Sequence, residues 1–365
     1  MKRSAIRSAR SRRGLTLVEL VLSAGLLAIL LAAVFQIVRQ FMGVWEKSEV
    51  RRMQVEESTG VSELLAGDLA ALEPGPRGDL LAEWVFFDHD LNGTAETKWP
   101  RVRLVRHASP AELARLQAGE AESARLVGEG LIEVVWTVLP LEPSTRDEGR
   151  RALGALWRGE RVYGPARGAD VSMFDETFLS RGGAPRAGAA QEVTGGVLWL
   201  GMQFATQTTI LRDGWRVGRE PGDAVASWDA WDRERPNSER HVWNDTGEFL
   251  PKVSDTPLLP RRVRLELELE QASDLKRRTK LSAFVNQQEG SFEVDDPSRV
   301  PEAGAHVLID AEWMQVTSVS GRWVSVKRGA RGTTPAAHEN GAVLHYGRTM
   351  VREVPIATHR EDWNL

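Results

Sequence analysis

The 365-residue chain has no cysteine, which removes disulfides, thiolate metal sites and thiol nucleophiles at once. Only two tyrosines stand against thirteen tryptophans, so the large amphipathic rings suited to packing edges and contact surfaces are almost all indoles. None of the seven histidines belongs to an H-E-x-x-H or similar close ligand pair; His338 reads as a structural residue. No G-x-S-x-G, P-loop or G-x-G-x-x-G occurs between a strand and a helix, so no enzyme activity and no nucleotide cofactor is expected. An excess of positive charge is missing too. The formal net charge is −4, whereas a nucleic-acid binder would be basic. What remains, with 42% hydrophobic residues, is enough for a packed core in one large or two modest domains.

The positive charge that is present is concentrated at one end. Lys2, Arg3, Arg7, Arg10, Arg12 and Arg13 precede Gly14 with no acidic residue among them. Removing that leader would strip six positive charges and leave about −10. Leu15 to Val38 then reads LTLVELVLSAGLLAILLAAVFQIV, roughly 36 Å of helix, enough to cross a bilayer. Basic residues on its near side keep the N-terminus cytoplasmic and send the chain beyond Arg39 outward. A secretory signal peptide would have a shorter apolar core and a small-residue cleavage site. Here the apolar run continues into a region with helical character. Glu19 is the single carboxylate inside the run. At membrane depth it costs roughly 2.5 to 3.5 kcal/mol unless paired, so it calls for a partner. An ordinary signal anchor carrying a chance glycine and glutamate is the alternative.

The segment RRGLTLVEL resembles the processing site of type IV prepilins and type II secretion pseudopilins. The resemblance implies that a prepilin peptidase/methyltransferase cuts between Gly14 and Leu15 and methylates the new amine of Leu15. Glu19 then becomes the fifth mature residue, whose family counterpart pairs with the N-terminal amine of a neighbouring subunit during filament assembly. An amine and a carboxylate buried together in lipid offset each other's desolvation only if they meet. Leu15 departs from the family's usual phenylalanine.

Arg39 to Glu73 contains no proline, and Val61, Leu64, Leu65, Leu69 and Leu72 make an apolar stripe on one helical face. Pro74-Gly75-Pro76 ends that helix. Beyond Gly78 the period changes to that of strands, at Glu83 to Asp88, Arg101 to Arg106, Leu131 to Leu139, Val197 to Phe204 and Arg262 to Glu270, which suggests an antiparallel meander. In the last of these, Val263, Leu265, Leu267 and Leu269 alternate with Arg264, Glu266, Glu268 and Glu270, predicting one buried and one wet face. Ser144 to Arg151 and Pro165 to Gln191 read as surface loops. The order of segments, including ALWRGER and a loop carrying Trp215, Trp228, Trp231 and Trp243, resembles minor pseudopilin J, although the loop Arg212 to Pro260 is long for that family.

Glu302 to Gly347 is similar to a small β module of phage tail and baseplate proteins, through the run RGARGTTPAAHENGA, with Ser320-Gly321 as a hairpin turn. That likeness implies no function. Finally, Asp88, Asp90 and Asn92 followed by Gly93 give the first half of an EF-hand-type calcium loop. Its twelfth position is Trp99 where a bidentate glutamate is needed, and a polar hairpin turn explains the same residues.

The expected fold class is α+β: a long N-terminal helix, transmembrane then amphipathic, packed on an antiparallel β head in the pilin-like manner, with an inserted all-β module. The expected parts are a leader (1–14), a transmembrane helix (15–38), an amphipathic helix (39–73), the head (74–285 with 347–365) and the module (286–346). The implied protein is a single-pass subunit of the bacterial inner membrane with a periplasmic head, assembling with other pseudopilins into a type II secretion pseudopilus. A minor type IV pilus subunit, or a pilin-anchored adhesin, is the alternative. Calcium at Asp88, Asp90 and Asn92 is the one cofactor the residues suggest.

Overall fold

The computed structural model describes residues 17–87, 97–116, 130–140, 153–163, 190–205, 226–231, 257–270 and 278–357. Gly14, Leu15, Asp88, Asp90, Asn92, the first long polar loop, the second one up to residue 189, Trp215 and Trp243 lie outside the described residues. The chain divides into two units, Met1–Val55 and Glu56–Leu365. Helix α1 (Leu17–Ala70) contributes to both.

In the first unit, Leu20–Met42 is long and apolar enough to cross a membrane and none of it is buried in protein. Its 23 residues extend about 35 Å, against a hydrocarbon core of about 30 Å. Its lack of Pro and the single mid-span Gly25 let the helix run uninterrupted.

In the second unit the helix is amphipathic. Val61, Leu65, Ala66 and Leu69 are buried. Leu64, expected in the same stripe, is 44% exposed. The buried arc is rotated away from it toward Ser58, Ser62 and Ala66, small residues that let a helix approach a sheet closely. The helix stops at Ala70, short of the expected Glu73, because Leu72 leaves it to pair with Arg106 as an isolated bridge.

The body is a sheet of strands β1 (Asp79–Phe87), β2 (Thr97–His107), β3 (Leu131–Pro140), β4 (Gly154–Val162), β5 (Ala190–Ala205), β6 (Trp228–Asp229) and β7 (Arg262–Leu269), with a short helix α2 (Pro110–Leu116) after β2. An eighth strand comes from the far end of the chain. The second sheet intervenes: β8 (Ser291–Glu293), β9 (His306–Ile309), β10 (Glu312–Ser320), β11 (Trp323–Ala330) and β12 (Leu344–His345) precede β13 (Arg348–Pro355). The strand orders are β13-β7-β5-β4-β3-β2-β1-β6 and β12-β9-β10-β11-β8. Every described pairing is antiparallel. The expected meander is therefore present in β1 to β4, and the chain does return to the first sheet at Arg348, opposite Leu269.

One core joins α1 to the body sheet: Leu65 and Leu69 cluster with Leu104, Trp136, Phe204 and the apolar side of β7. Trp228 of the long loop is fully buried in it and donates its Nε1–H to the carbonyl of Leu258 at 2.8 Å. Trp231 donates to the carbonyl of Gly78 at 2.9 Å. Both indoles are thus committed to the body, not offered to a ligand.

The second sheet has its own core of Phe292, Val307, Ile309, Met314, Val324 and neighbours. Leu281 and Val285, which precede residue 286, belong to it. Ser320 pairs with Trp323 across Gly321-Arg322, and Gly321 takes φ 58°, so the hairpin turn includes the expected glycine but lies one residue beyond the expected Ser320-Gly321.

The polar side of β7 corrects an expectation. Glu268 and Glu270 are 1% and 3% exposed, because groups of the second sheet and its flanks cover them. Alternation identified the apolar face correctly, but the other face is wet only in part: Arg264 and Glu266 are half-buried, while Glu268 is dry.

Candidate functional site

The seam between the two sheets is where buried charge, aromatic surface and a cavity coincide. Its centre is Arg331. Strand β11 ends at Ala330, and Thr333 donates its backbone N–H to the carbonyl of Ala330 at 3.1 Å. The two residues between have positive φ, 54° at Arg331 and 73° at Gly332, a tight turn that is strained for an arginine and usual for a glycine. That turn aims the guanidinium at the body sheet. Arg331 pairs with Glu266 at 2.6 Å and Glu268 at 2.8 Å, and lies 4.9 Å and 4.1 Å from the ring centres of Trp199 and Trp313. Trp199 and Trp313 meet edge to face at 6.0 Å, and Leu153, Leu198 and Leu308 fill the adjoining apolar contact.

A second fastening lies where the chain crosses between sheets. Glu270 is paired with Arg278 and with His345 Nδ1, the latter at 2.9 Å. Arg278 also stacks on Tyr346 at 4.7 Å. Glu268 takes hydrogen bonds from the backbone N–H of Gly347 at 2.8 Å and from Thr349 Oγ1 at 3.2 Å. A Cβ on Gly347 would sit 2.3 Å from the carbonyl oxygen of Leu269, so only glycine fits there.

Next to Arg331 the run RGARGTTPAAHENGA is folded around one carboxylate. Glu312 accepts from Arg328 at 2.7 and 2.6 Å, from the backbone N–H groups of Gly329 and Ala336 at 3.1 and 2.8 Å, and pairs with His338 Nε2 at 3.0 Å. The other nitrogen of His338 meets Asp310 at 2.7 Å. Burial disfavours the imidazolium, but the hydrogen bonds to Asp310 and Glu312 outweigh it and raise the His338 pKa above its ordinary 6.5. Burial likewise opposes ionisation of Glu312, and the Arg328 guanidinium with the N–H donors still holds its pKa below the usual carboxylate range.

A raised histidine pKa stabilises the fold fully below the unfolded value near 6.5; the contribution fades as pH rises through the folded value. The gap in melting temperature between the wild type and His338→Gln is therefore expected to be widest in mildly acidic buffer and to narrow as the medium becomes alkaline. A gap that stays constant or widens with pH would show that His338 carries no charge in the fold.

Beside this network a cavity of 510 Å³ opens between the sheets, walled by Phe86, Lys98, Trp99, Trp199, Asp310 and Trp313 among others. Trp199 also packs on Trp84 at 5.8 Å, with Lys98 over the Trp84 ring at 5.2 Å. Trp99 of β2, the residue at the twelfth calcium-loop position, pairs with Val85 of β1 and is buried.

Of the residues singled out from the sequence, Glu19 falls in the first turn of α1, and its side chain lies outside the described ones. His338 is built into the seam. Asp310, Glu312, Arg331, Trp199 and Trp313 carried no motif of their own. The nearest signal was the density of glycines and arginines in 328–332, which marks a backbone turning through positive φ. Among the described residues no group of three or more His, Asp or Glu side chains is arranged to hold a metal ion. In all three comparisons with known proteins, covering family models, curated proteins and solved structures, nothing matches this chain.

Proposed function

We propose that the chain is a structural subunit of a membrane-anchored filament, a pilin-like minor pseudopilin standing at or near the tip of a type II secretion pseudopilus. The observation that carries this reading is α1 itself. One helix bears an apolar, exposed, membrane-length stretch and then supplies the buried face of a β body. A cleaved secretory signal would have no reason to continue as a core element of the folded domain. The basic leader before Gly14 orients the anchor with the body on the outer side of the inner membrane. Glu19, the lone carboxylate of the anchor, supplies the buried charge that an adjacent subunit's N-terminal amine would neutralise.

Processing at Gly14 tests this directly. In cells that carry prepilin peptidase, the wild type is expected to accumulate as a species beginning at N-methylated Leu15, identified by intact mass and N-terminal peptide mapping. Gly14→Val is expected to remain full length, with its leader attached and unmethylated. Normal maturation of Gly14→Val would sink the assignment.

A further inference from the structure

The cavity at the seam has a chemistry that the filament role does not use. We propose that it is a binding site for a neutral saccharide of roughly two to three pyranose rings, a size its volume accommodates. The inference stands independently of the anchoring function.

The argument starts with which polar groups are open. Glu312 and His338 are closed to a ligand: both carboxylate oxygens and both ring nitrogens already have partners inside the fold. Asp310 is different. It occupies the two-residue connection between β9 and β10 at φ 53°, an αL position that aspartate tolerates. One of its oxygens is fixed by His338, yet its side chain is 60% exposed. It therefore presents a carboxylate oxygen in a fixed direction, an acceptor suited to hydroxyl donors.

The walls decide the rest. Phe86 is 66% exposed at the rim, giving flat apolar surface of the kind that stacks against the C–H face of a sugar ring. A cationic ligand meets opposition. Lys98 lines the cavity and stands over Trp84, and Arg331 lies over Trp199 and Trp313, so the wall already carries the positive charge that would repel a cation. An anionic ligand meets the Asp310 carboxylate. A neutral polyol with one apolar face satisfies the Phe86 ring and the Asp310 carboxylate together, and Lys98 can donate to its hydroxyls.

The test uses the full-length protein in lauryldimethylamine oxide, which has no sugar headgroup to compete. Maltotriose, cellotriose and chitotriose are titrated separately, with saturation-transfer NMR and tryptophan fluorescence as readouts. Saturable binding of at least one trisaccharide is expected, weakened about tenfold or more by Asp310→Asn, as for loss of a hydrogen bond to a charged group. Phe86→Ala, at an exposed residue whose loss leaves the fold intact, is expected to weaken it as well. Trp323→Ala, on the exposed tip of the β10–β11 hairpin, is expected to bind as wild type. The proposal is overturned if none of the three sugars saturates, if Phe86→Ala binds unchanged, or if choline or glucuronate binds and the trisaccharides do not.

Discussion

Asp68→Ala is expected to lower the stability of the folded body by about 3 to 5 kcal/mol, the cost of removing one partner from a buried charge network. Asp68 lies in the last turn of α1 and is 3% exposed. It accepts from Trp136 Nε1 at 2.7 Å and from Arg158 at 2.8 and 3.0 Å, and it is ion-paired with Arg106 at 2.7 Å. One carboxylate thus ties the helix to β2, β3 and β4. A negative charge at a helix C-terminus opposes the macrodipole, so the site is maintained by these strand partners and not by the helix. Arg106 and Arg158 keep Glu112 and Glu160, which limits the loss but leaves Trp136 without an acceptor. Chemical denaturation of the full-length protein in detergent, followed by tryptophan fluorescence, checks the figure. A loss below about 1 kcal/mol, the range of exposed ion pairs, would mean that helix and sheet are held by apolar packing alone.

Arg331→Ala is expected to be of similar size, about 3 to 5 kcal/mol, for the same physical reason at the other face of the sheet. The substitution leaves Glu268 buried with Gly347 and Thr349 as its remaining donors and removes the cation between Trp199 and Trp313. It does not relieve the strained backbone angle, since alanine carries the same Cβ and has the same objection to positive φ. Arg331→Lys keeps the charge but not the planar fork or the stacking, and should recover less than half of the loss. The diagnostic reading is spectroscopic. Arg331→Ala should shift the tryptophan emission to the red as Trp199 and Trp313 gain water, before any global unfolding. An unshifted spectrum with unchanged stability would mean that the sheets are docked by Leu153, Leu198 and Leu308 without help from the ion pairs.

The elements were legible because they repeat at their own period. The alternation in Arg262–Leu269 and the apolar run of Leu131–Pro140 each name a strand without help from the rest of the chain. The α1 face was readable at Val61, Leu65 and Leu69 but misjudged at Leu64, since the helix is rotated by what it meets, and the small residues it buries, Ser58 and Ser62, carry no hydrophobic signal. The seam was not legible. Glu266 and Glu268 look like the wet side of an amphipathic strand, but Arg331, Gly347 and Thr349, far along the chain, make Glu268 an interior residue, and Arg331 also pairs with the half-buried Glu266. The same holds for Asp310, whose character comes from a turn and a histidine partner, not from its neighbours in sequence.

The route of the chain through the second sheet bears on how the body folds. Strands β7 and β13 are adjacent, with Leu269 opposite Arg348, so the whole second sheet occupies the place of a hairpin loop. A floppy loop of that length would have to close by chance, although each doubling adds only about 0.6 kcal/mol of closure entropy. Here the connection has its own core, and its two ends are brought together inside it where Lys280 bridges Val343. Once that sheet has formed, β13 is delivered beside β7 as though the two were joined by a short turn. The insertion therefore works as a clasp that makes a distant pairing local, and the last strand of the body should be acquired at the rate at which the second sheet folds.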